Sequence, residues 1–247
     1  MAHPVAVLTG DLIASSDATP EVVEAAIQEI ESSAEQIARS TGKATHFTRF
    51  RGDGWQVYLD MPGDCLWACL YIQARLRARG MLATRIAVGV GEGRLPEGGG
   101  LSAAMGPAFT LSGRALDTMD KRDILTLAGA ERDRYEERAG QKICVEPTVG
   151  RFEKLIFTFA ADHVRRWSSQ QAEAMALSLP PASINQTEIA AHLGITRQAV
   201  GARLAAAGHM LLEDAWVAFK YKYRETFTLN VRSGDYTMVP HGLGDNA

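Results

Sequence analysis

Residues 186–207 place polar side chains where a helix could hydrogen-bond to DNA bases. Gly194 breaks a first helix, and the hydroxyl group of Thr196 can cap a second one. Each predicted helix has an apolar face at helical spacing: Ile189, Ala190 and Leu193, then Val200 and Leu204. The residues predicted to meet base edges from the first turns of the second helix are Thr196, Arg197, Gln198, Gly201, Ala202 and Arg203. The pattern predicts a helix-turn-helix with double-stranded DNA as partner, and the alternative is a small helical module for dimerisation or docking.

Two aspartates in the N-terminal half are the other candidates for chemistry. Asp11 lies near the end of an apolar strand, and Asp53 lies in an Arg-Gly-Asp-Gly turn between two predicted strands. Aspartate often caps such turns, so one interpretation is purely structural. If the strands are neighbours, however, the two carboxylates converge, and without a partner they repel and raise one pKa. The second interpretation is therefore a metal or nucleotide site.

The elements that must position these aspartates follow the order β-α-β-β-α-β. The predicted segments are a strand at 4–13, a helix starting at Thr19-Pro20, a hairpin at 46–60, a helix at 64–79 and a strand at 82–90. This order favours an α+β fold, a ferredoxin-like palm in which one antiparallel sheet carries helices on one face. A helix at 106–119 and a strand near 122–128 would extend the palm. Residues 91–102 are predicted to form a glycine-rich loop without a Walker pattern.

The chain divides into four predicted segments: a palm domain (1–147), a connecting helix (148–167), a helix-turn-helix domain (168–224) and a tail or wing (225–247). A helix at 209–222 should cover the back of the helix-turn-helix. The last segment alternates weakly, which allows a wing-like hairpin around Ser233-Gly234-Asp235 or an edge strand followed by a loose tail.

Bulk composition limits the partners and the compartment. A chain of 247 residues with a net charge of −3 does not coat nucleic acid by bulk electrostatics, although a local DNA-binding module remains compatible with it. No apolar run is long enough to cross a membrane and no signal peptide is evident, so we expect no membrane partner. Three cysteines without disulfide-like spacing favour a cytoplasmic protein. Cys65 and Cys69, one helical turn apart, are interpreted as buried thiols.

Four motifs of the palm resemble class III nucleotide cyclases. Residues 11–16 (DLIASS) are similar to the family's first metal motif, and Gly52-Asp53-Gly54 is similar to its second. Residues 85–93 look like the strand that follows, and residues 106–114 look like the segment with the transition-state Asn and Arg. Together with the helix-turn-helix, the chain most resembles the SatD family of bacterial proteins, to about residue 224.

The resemblance implies a set of site residues. Asp11, Asp53 and the carbonyl group of Ile13 would hold Mg²⁺ or Mn²⁺. Arg114 and Thr110 would be catalytic if the protein is an enzyme. The residues implied to bind a nucleotide are Ser15, Ser16, Arg49 and Arg114. Because the active site of a cyclase lies between two palms, the resemblance also implies a homodimer.

The chain departs from the cyclase pattern at three positions. Thr110 stands where the family has its transition-state Asn. Arg49 stands where the family has the Lys that reads the base, and the Asp or Thr that assists this Lys falls near Ala103. Loss of one preorganised donor typically slows catalysis about a hundredfold or more. We therefore predict a DNA-binding transcriptional regulator with a degenerate cyclase-like domain that dimerises and binds a nucleotide. The alternatives are a divergent metal-dependent cyclase or nucleotidyl transferase acting on a nucleoside triphosphate, and an interaction scaffold.

Overall fold

The computed structural model describes residues 3–42, 45–50, 52–95, 100–130, 134–138, 141–146, 149–180 and 182–226. The strands are β1 (His3–Leu12), β2 (Thr45–Phe50), β3 (Gly54–Leu59), β4 (Thr84–Gly93), β5 (Leu125–Gly129), β6 (Arg134–Arg138) and β7 (Gln141–Glu146). The α-helices are α1 (Pro20–Thr41), α2 (Cys65–Ala78), α3 (Pro107–Thr118), α4 (Arg151–Arg166), α5 (Ser169–Ser178), α6 (Gln186–Leu193), α7 (Arg197–Ala206) and α8 (His209–Thr226).

The main sheet has the strand order β2-β3-β1-β4-β5. Strand β1 lies at its centre and pairs antiparallel with both β3 and β4, while β5 joins parallel to β4. The β-α-β-β-α-β order and the mixed α+β class predicted from the sequence are confirmed, and β5 lies where the extension of the palm was expected. Strands β6 and β7 form a separate two-stranded sheet.

One face of the main sheet carries the larger hydrophobic core, under α1 and α2. Helix α1 turns one apolar stripe inward, and Pro20 stands at its first position, where a missing N–H costs nothing. Helix α2 is buried almost all round, because the sheet lies on one side of it and the C-terminal helices lie on the other. Burial raises the pKa of Cys65 and of Cys69, which agrees with inert core thiols.

Helices α1 and α2 share one face of the sheet, as predicted for the palm. Helix α3, which was predicted only to extend the palm, packs on the opposite face. The hydroxyl groups of Thr9 on β1 and Ser112 on α3 are 2.7 Å apart. Gly89 allows this close packing, because a Cβ atom there would lie 2.2 Å from the carbonyl oxygen of Ala108. The sequence does show small residues along β4, but only the fold shows that a helix crosses them.

Helices α4 to α8 form a helical unit that packs against α2. The indole N–H of Trp167 donates to the carbonyl of Ala207 at 2.9 Å, and the Trp167 carbonyl accepts from the Arg77 guanidinium on α2. Helices α4 and α8 are joined by the rings of Phe157 and Phe219, 5.7 Å apart. Helix α8 occupies the place predicted for the covering helix, and α4 falls within the predicted connecting segment. The tail or wing beyond Thr226 lies outside the described residues.

In the described part of the chain, no helix has the length and apolar character needed to cross a membrane.

Candidate functional site

Asp11 and Asp53 lie at the same edge of two neighbouring strands. Strand β1 approaches its end at Asp11, and β3 begins at Gly54, directly after Asp53. Since the two strands are antiparallel and Asp11 is paired with Gly54, the end of one meets the start of the other. The convergence expected from the sequence therefore occurs at the level of the backbone.

The Asp11 carboxylate is held by Arg85 on β4. The two residues are direct partners in the β1–β4 register. The guanidinium donates from Nε to Asp11 Oδ1 at 2.9 Å and from Nη2 to Oδ2, a bidentate geometry. These hydrogen bonds raise the pKa of Arg85. Asp11 is thus neutralised within its own chain.

The Asp53 carboxylate has a separate partner in the turn that follows β1. Ala14 adopts a left-handed conformation, with φ at 58°, and this turns the chain so that the Ser15 hydroxyl donates to Asp53 Oδ2. Ser16 is exposed in the same turn. The backbone N–H of Ile13 donates to the carbonyl of Ala83 at 2.8 Å, which fixes the path of the chain between the aspartates.

The described side chains at this edge, as they lie here, do not fit a divalent cation. In the described ranges no three His, Cys, Asp or Glu residues form a group that could hold a metal. A magnesium ion requires oxygen ligands in octahedral geometry, and the Arg85 guanidinium donates one hydrogen bond to each oxygen of Asp11. A cation held by Asp11, Asp53 and the Ile13 carbonyl would lie beside the Arg85 guanidinium, and the repulsion between the two positive charges disfavours it.

Thr110 and Arg114 point away from this edge. Their helix, α3, buries Ala108 and Ser112 against the sheet. Positions two residues removed from these lie on the far side of a helix, and both Thr110 and Arg114 are exposed. Ala103 is exposed as well, in a short 3₁₀ turn. One copy of the chain therefore does not bring the implied catalytic pair to the two aspartates.

Arg49 lies on the other face of the sheet from Asp11. It is paired with Trp55, whose buried ring belongs to the core beneath α1 and α2. Its guanidinium contacts the Glu24 carboxylate on α1, with Nη1 to Oε2 at 2.5 Å, and this hydrogen bond lowers the pKa of Glu24. The structure does not bring Arg49 together with Asp11, and its neighbour Arg51 is outside the described residues.

Arg85 is the residue at the aspartate edge that sequence reasoning missed. It lies within the segment 85–93 that resembles the cyclase strand, but the sequence assigned it no role. The available signal was its position at the start of a predicted strand. Only the register shows that this strand lies beside β1 with Arg85 opposite Asp11.

The second candidate surface is formed by α6 and α7. Gly194, with φ at 65°, ends α6, and the Thr196 hydroxyl accepts from the backbone N–H of Ala199 at 3.1 Å to cap α7. Val200 and Leu204 are buried beneath α7. The helix boundaries and caps thus match the expected two-helix pattern.

The residues on the outer side of α7 differ in their exposure and in their contacts with the rest of the chain. Arg197, Gln198 and Ala202 are exposed. Gly201, which was predicted to be exposed, is half-buried, and a Cβ atom there would meet the side chain of Gln186 at 3.5 Å. Arg203 is half-buried too and forms an ion pair with Glu173 on α5 at 3.2 Å.

Three solved structures of nucleotide cyclases resemble the chain. The guanylyl cyclase Cya2 aligns with 18% identity and a TM-score of 0.36, over 61% of this chain and 95% of its own. The adenylyl cyclase CyaB from P. aeruginosa aligns with 14% identity and a TM-score of 0.36, over 57% of this chain and 87% of its own. A bacterial light-regulated adenylyl cyclase aligns with 13% identity and a TM-score of 0.38, over 72% of this chain and 58% of its own.

No family model matches the chain, and no curated protein matches it. The structural alignments are too loose to carry an argument about function, so any function assigned to this chain depends on its own strand order and side chains.

Proposed function

We propose that the protein is a sequence-specific DNA-binding regulator whose palm domain dimerises and binds a nucleotide. The observation that carries this proposal is the exposed first half of α7. Arg197 and Gln198 stand in its first turn, exposed, directly after the Thr196 cap. Such side chains at the start of a recognition helix can reach guanine and adenine edges in the major groove.

The packing beneath α7 supports a rigid presentation of these side chains. Val200 and Leu204 anchor the helix to the core of the helical unit. The Arg203–Glu173 ion pair joins α7 to α5 on the flank. A helix fixed from below and capped at its start holds its exposed residues in one geometry, which base recognition requires and a merely solvated helix does not.

In this proposal, the palm domain binds a second copy of the chain and so forms the dimer. Thr110 and Arg114 are one helical turn apart and face outward on α3, while Asp11 and Asp53 lie at one edge of the sheet in the same chain. A site that includes all four groups forms only when α3 of one copy meets the sheet edge of another. Such a dimer would present two α7 helices to half-sites spaced by about one helical turn, roughly 34 Å.

Selection of bound fragments from random duplexes, followed by fluorescence anisotropy, tests the DNA-binding proposal. We expect a palindromic site whose affinity falls steeply as salt rises, because phosphate contacts release counterions. Gln198→Ala should cost about 1–3 kcal/mol at one base position while sparing non-specific binding. Gln28→Ala, on an exposed face of α1, is the matched control. Weak binding that is equal on all sequences at moderate salt would refute the proposal.

A divergent cyclase or nucleotidyl transferase is the second candidate, favoured by the shared edge of Asp11 and Asp53. Incubation with the common nucleoside triphosphates and Mg²⁺ or Mn²⁺ should then give a cyclic or linked product. That product should vanish in Asp53→Ala and persist in Asp17→Ala, which changes an exposed aspartate in the turn after β1. If no triphosphate gives a product, this candidate is discarded.

A further inference from the structure

A cavity of about 470 Å³ opens at the junction between the palm and the helical unit. Its palm side is formed by the end of α1, the turn at Pro62–Asp64 and the start of α2. Its other side is formed by the connection between α5 and α6 and by α8. None of the aspartate-edge residues or the exposed α7 residues lines this cavity, so neither candidate function uses it.

The wall of the cavity is closely packed at the turn before α2. A Cβ atom at Gly63 would lie 3.0 Å from the Cα atom of Lys220 on α8. This approach places the backbone of α8 against the palm, and the side chains of Lys220 and Trp216 line the cavity. Residues of the palm and of the helical unit therefore form opposite walls of the cavity.

The charge inside the cavity is already balanced. Asp64 is only 5% exposed and accepts from Trp67 Nε1 at 3.0 Å. The Lys220 ammonium group lies 3.1 Å from the same carboxylate and 5.8 Å from the centre of the Trp216 ring. A ligand with a net negative charge would compete with Asp64 for Lys220, so the cavity does not favour an anion.

The remaining polar groups of the cavity are hydroxyl groups, which donate or accept hydrogen bonds, and the N–H groups of Trp216 and Lys220, which only donate. Among the described residues, the hydroxyl groups of Ser40 and Ser183 and the indole N–H of Trp216 have no hydrogen-bond partner. Ser183 also holds a left-handed backbone, with φ at 42°, an unfavourable conformation for a residue with a side chain. Lys220, whose side chain is about half exposed, adds further N–H groups.

We propose that this cavity binds a small, uncharged, planar heteroaromatic molecule rich in hydrogen-bond acceptors. The ring would lie against Trp216, and its carbonyl or ring-nitrogen atoms would accept from Lys220, Ser40 and Ser183. A ligand in this place contacts both the palm and the helical unit. It would therefore stabilise their present arrangement, independently of whether the helical unit binds DNA.

Isothermal titration of the full chain tests this site with defined probes. Theophylline and lumichrome are planar and carry several acceptors, whereas indole is planar without a carbonyl or pyridine-type acceptor and benzoate is an aromatic anion. We expect binding of at least one of the first pair and of neither control probe. Lys220→Met should weaken that binding about tenfold or more, since a charge-assisted hydrogen bond is lost. Lys154→Met, an exposed change outside the cavity, should leave it unchanged.

Ser40→Ala provides a second variant that does not endanger folding, because Ser40 is exposed near the end of α1. It removes one donor and should weaken binding by a few fold. The proposal is overturned if neither acceptor-rich probe binds, if benzoate binds more tightly than both, or if Lys220→Met and Ser40→Ala both bind like the unsubstituted chain.

Discussion

The aspartate edge of the palm and the outer face of α7 differ in whether their charged side chains have partners within the described part of the chain. At the palm edge, Asp11 is held by Arg85 and Asp53 by Ser15. On α7, the exposed Arg197 has no ion-pair partner among the described residues. Internally paired groups stabilise a fold and must be released before they bind anything else. An exposed group that the fold does not use is available to a partner, so the comparison favours α7 as the interacting surface.

Removal of Arg85 is expected to have the largest effect on the free energy of unfolding, because it leaves the Asp11 carboxylate unpaired at the palm edge. Arg85→Met leaves the Asp11 carboxylate without its bidentate partner in a site where both side chains are less than a third exposed. We expect a loss of about 3 kcal/mol in the free energy of unfolding, measured by urea denaturation. Asp11→Asn in the same background should restore part of it, and a cost below about 1 kcal/mol would show that the pair is only a surface contact.

The pairing of Asp11 also predicts how the palm responds to metal. Because Arg85 already neutralises the carboxylate, millimolar Mg²⁺ alone should not raise the melting temperature of the unsubstituted chain. A clear rise that Asp11→Asn abolishes would show that the cation displaces Arg85 at no great cost.

The position of α3 is tested by a pair of glycine substitutions. Gly89→Ala would place a methyl group 2.2 Å from the Ala108 carbonyl oxygen, so we expect a loss of about 2 kcal/mol as the helix is pushed off the sheet. Gly113→Ala meets nothing within 4 Å on the same helix and should stabilise the chain by about 0.5–1 kcal/mol. Similar values for both in thermal denaturation would contradict the close packing.

Loss of the Thr196 cap tests how strongly the start of α7 is fixed. Thr196→Ala removes the acceptor of the Ala199 N–H and should cost about 1 kcal/mol of unfolding free energy. Thr187→Ala changes an exposed threonine whose side chain caps nothing and should cost less. If the cap positions the DNA-reading residues, Thr196→Ala should also weaken specific DNA binding, measured on the selected site.

The smallest effect on the free energy of unfolding is expected from loss of the Glu153–Lys222 ion pair between α4 and α8. Burial alone would raise the pKa of Glu153, but the Lys222 ammonium, 2.5 Å away, and the Gly150 N–H hold it below its usual value. A carboxyl with a lowered pKa stabilises the folded chain above its unfolded pKa, and this stabilisation is lost as pH falls through the folded value.

Glu153→Gln should therefore reduce the unfolding free energy by up to about 1 kcal/mol at pH 7 and by less at pH 3. Glu31→Gln, on an exposed position of α1, is the control. An equal cost at both pH values would exclude the ion pair as its cause.

Local patterns predicted the first five strands, the helices of the palm and the two-helix motif, but they did not predict β6 and β7. The Gly194 break, the Thr196 cap and the buried Val200 and Leu204 all lie within one short segment, so their geometry depends on neighbours along the chain. The antiparallel pairing around Gly52-Asp53 was predictable for the same reason.

Contacts between distant segments were not predictable in this way. The sequence did not show that α3 crosses the second face of the sheet, that Arg49 and Asp11 point to opposite faces, or that Asp64 and Lys220 meet. Each depends on strand register or on the packing of whole elements, where a shift by one residue reverses the face of every side chain.

The amino-acid order by itself determined most of the helices and strands of the palm and the two-helix pattern of α6 and α7. Hydrophobic periodicity and end caps act over a few residues, and they need no partner elsewhere in the chain. The tertiary structure alone decided that Arg85 neutralises Asp11 and that a cavity lies between the palm and the helical unit. Those features arise from residues far apart in sequence, which are brought together only when the sheet and its helices pack.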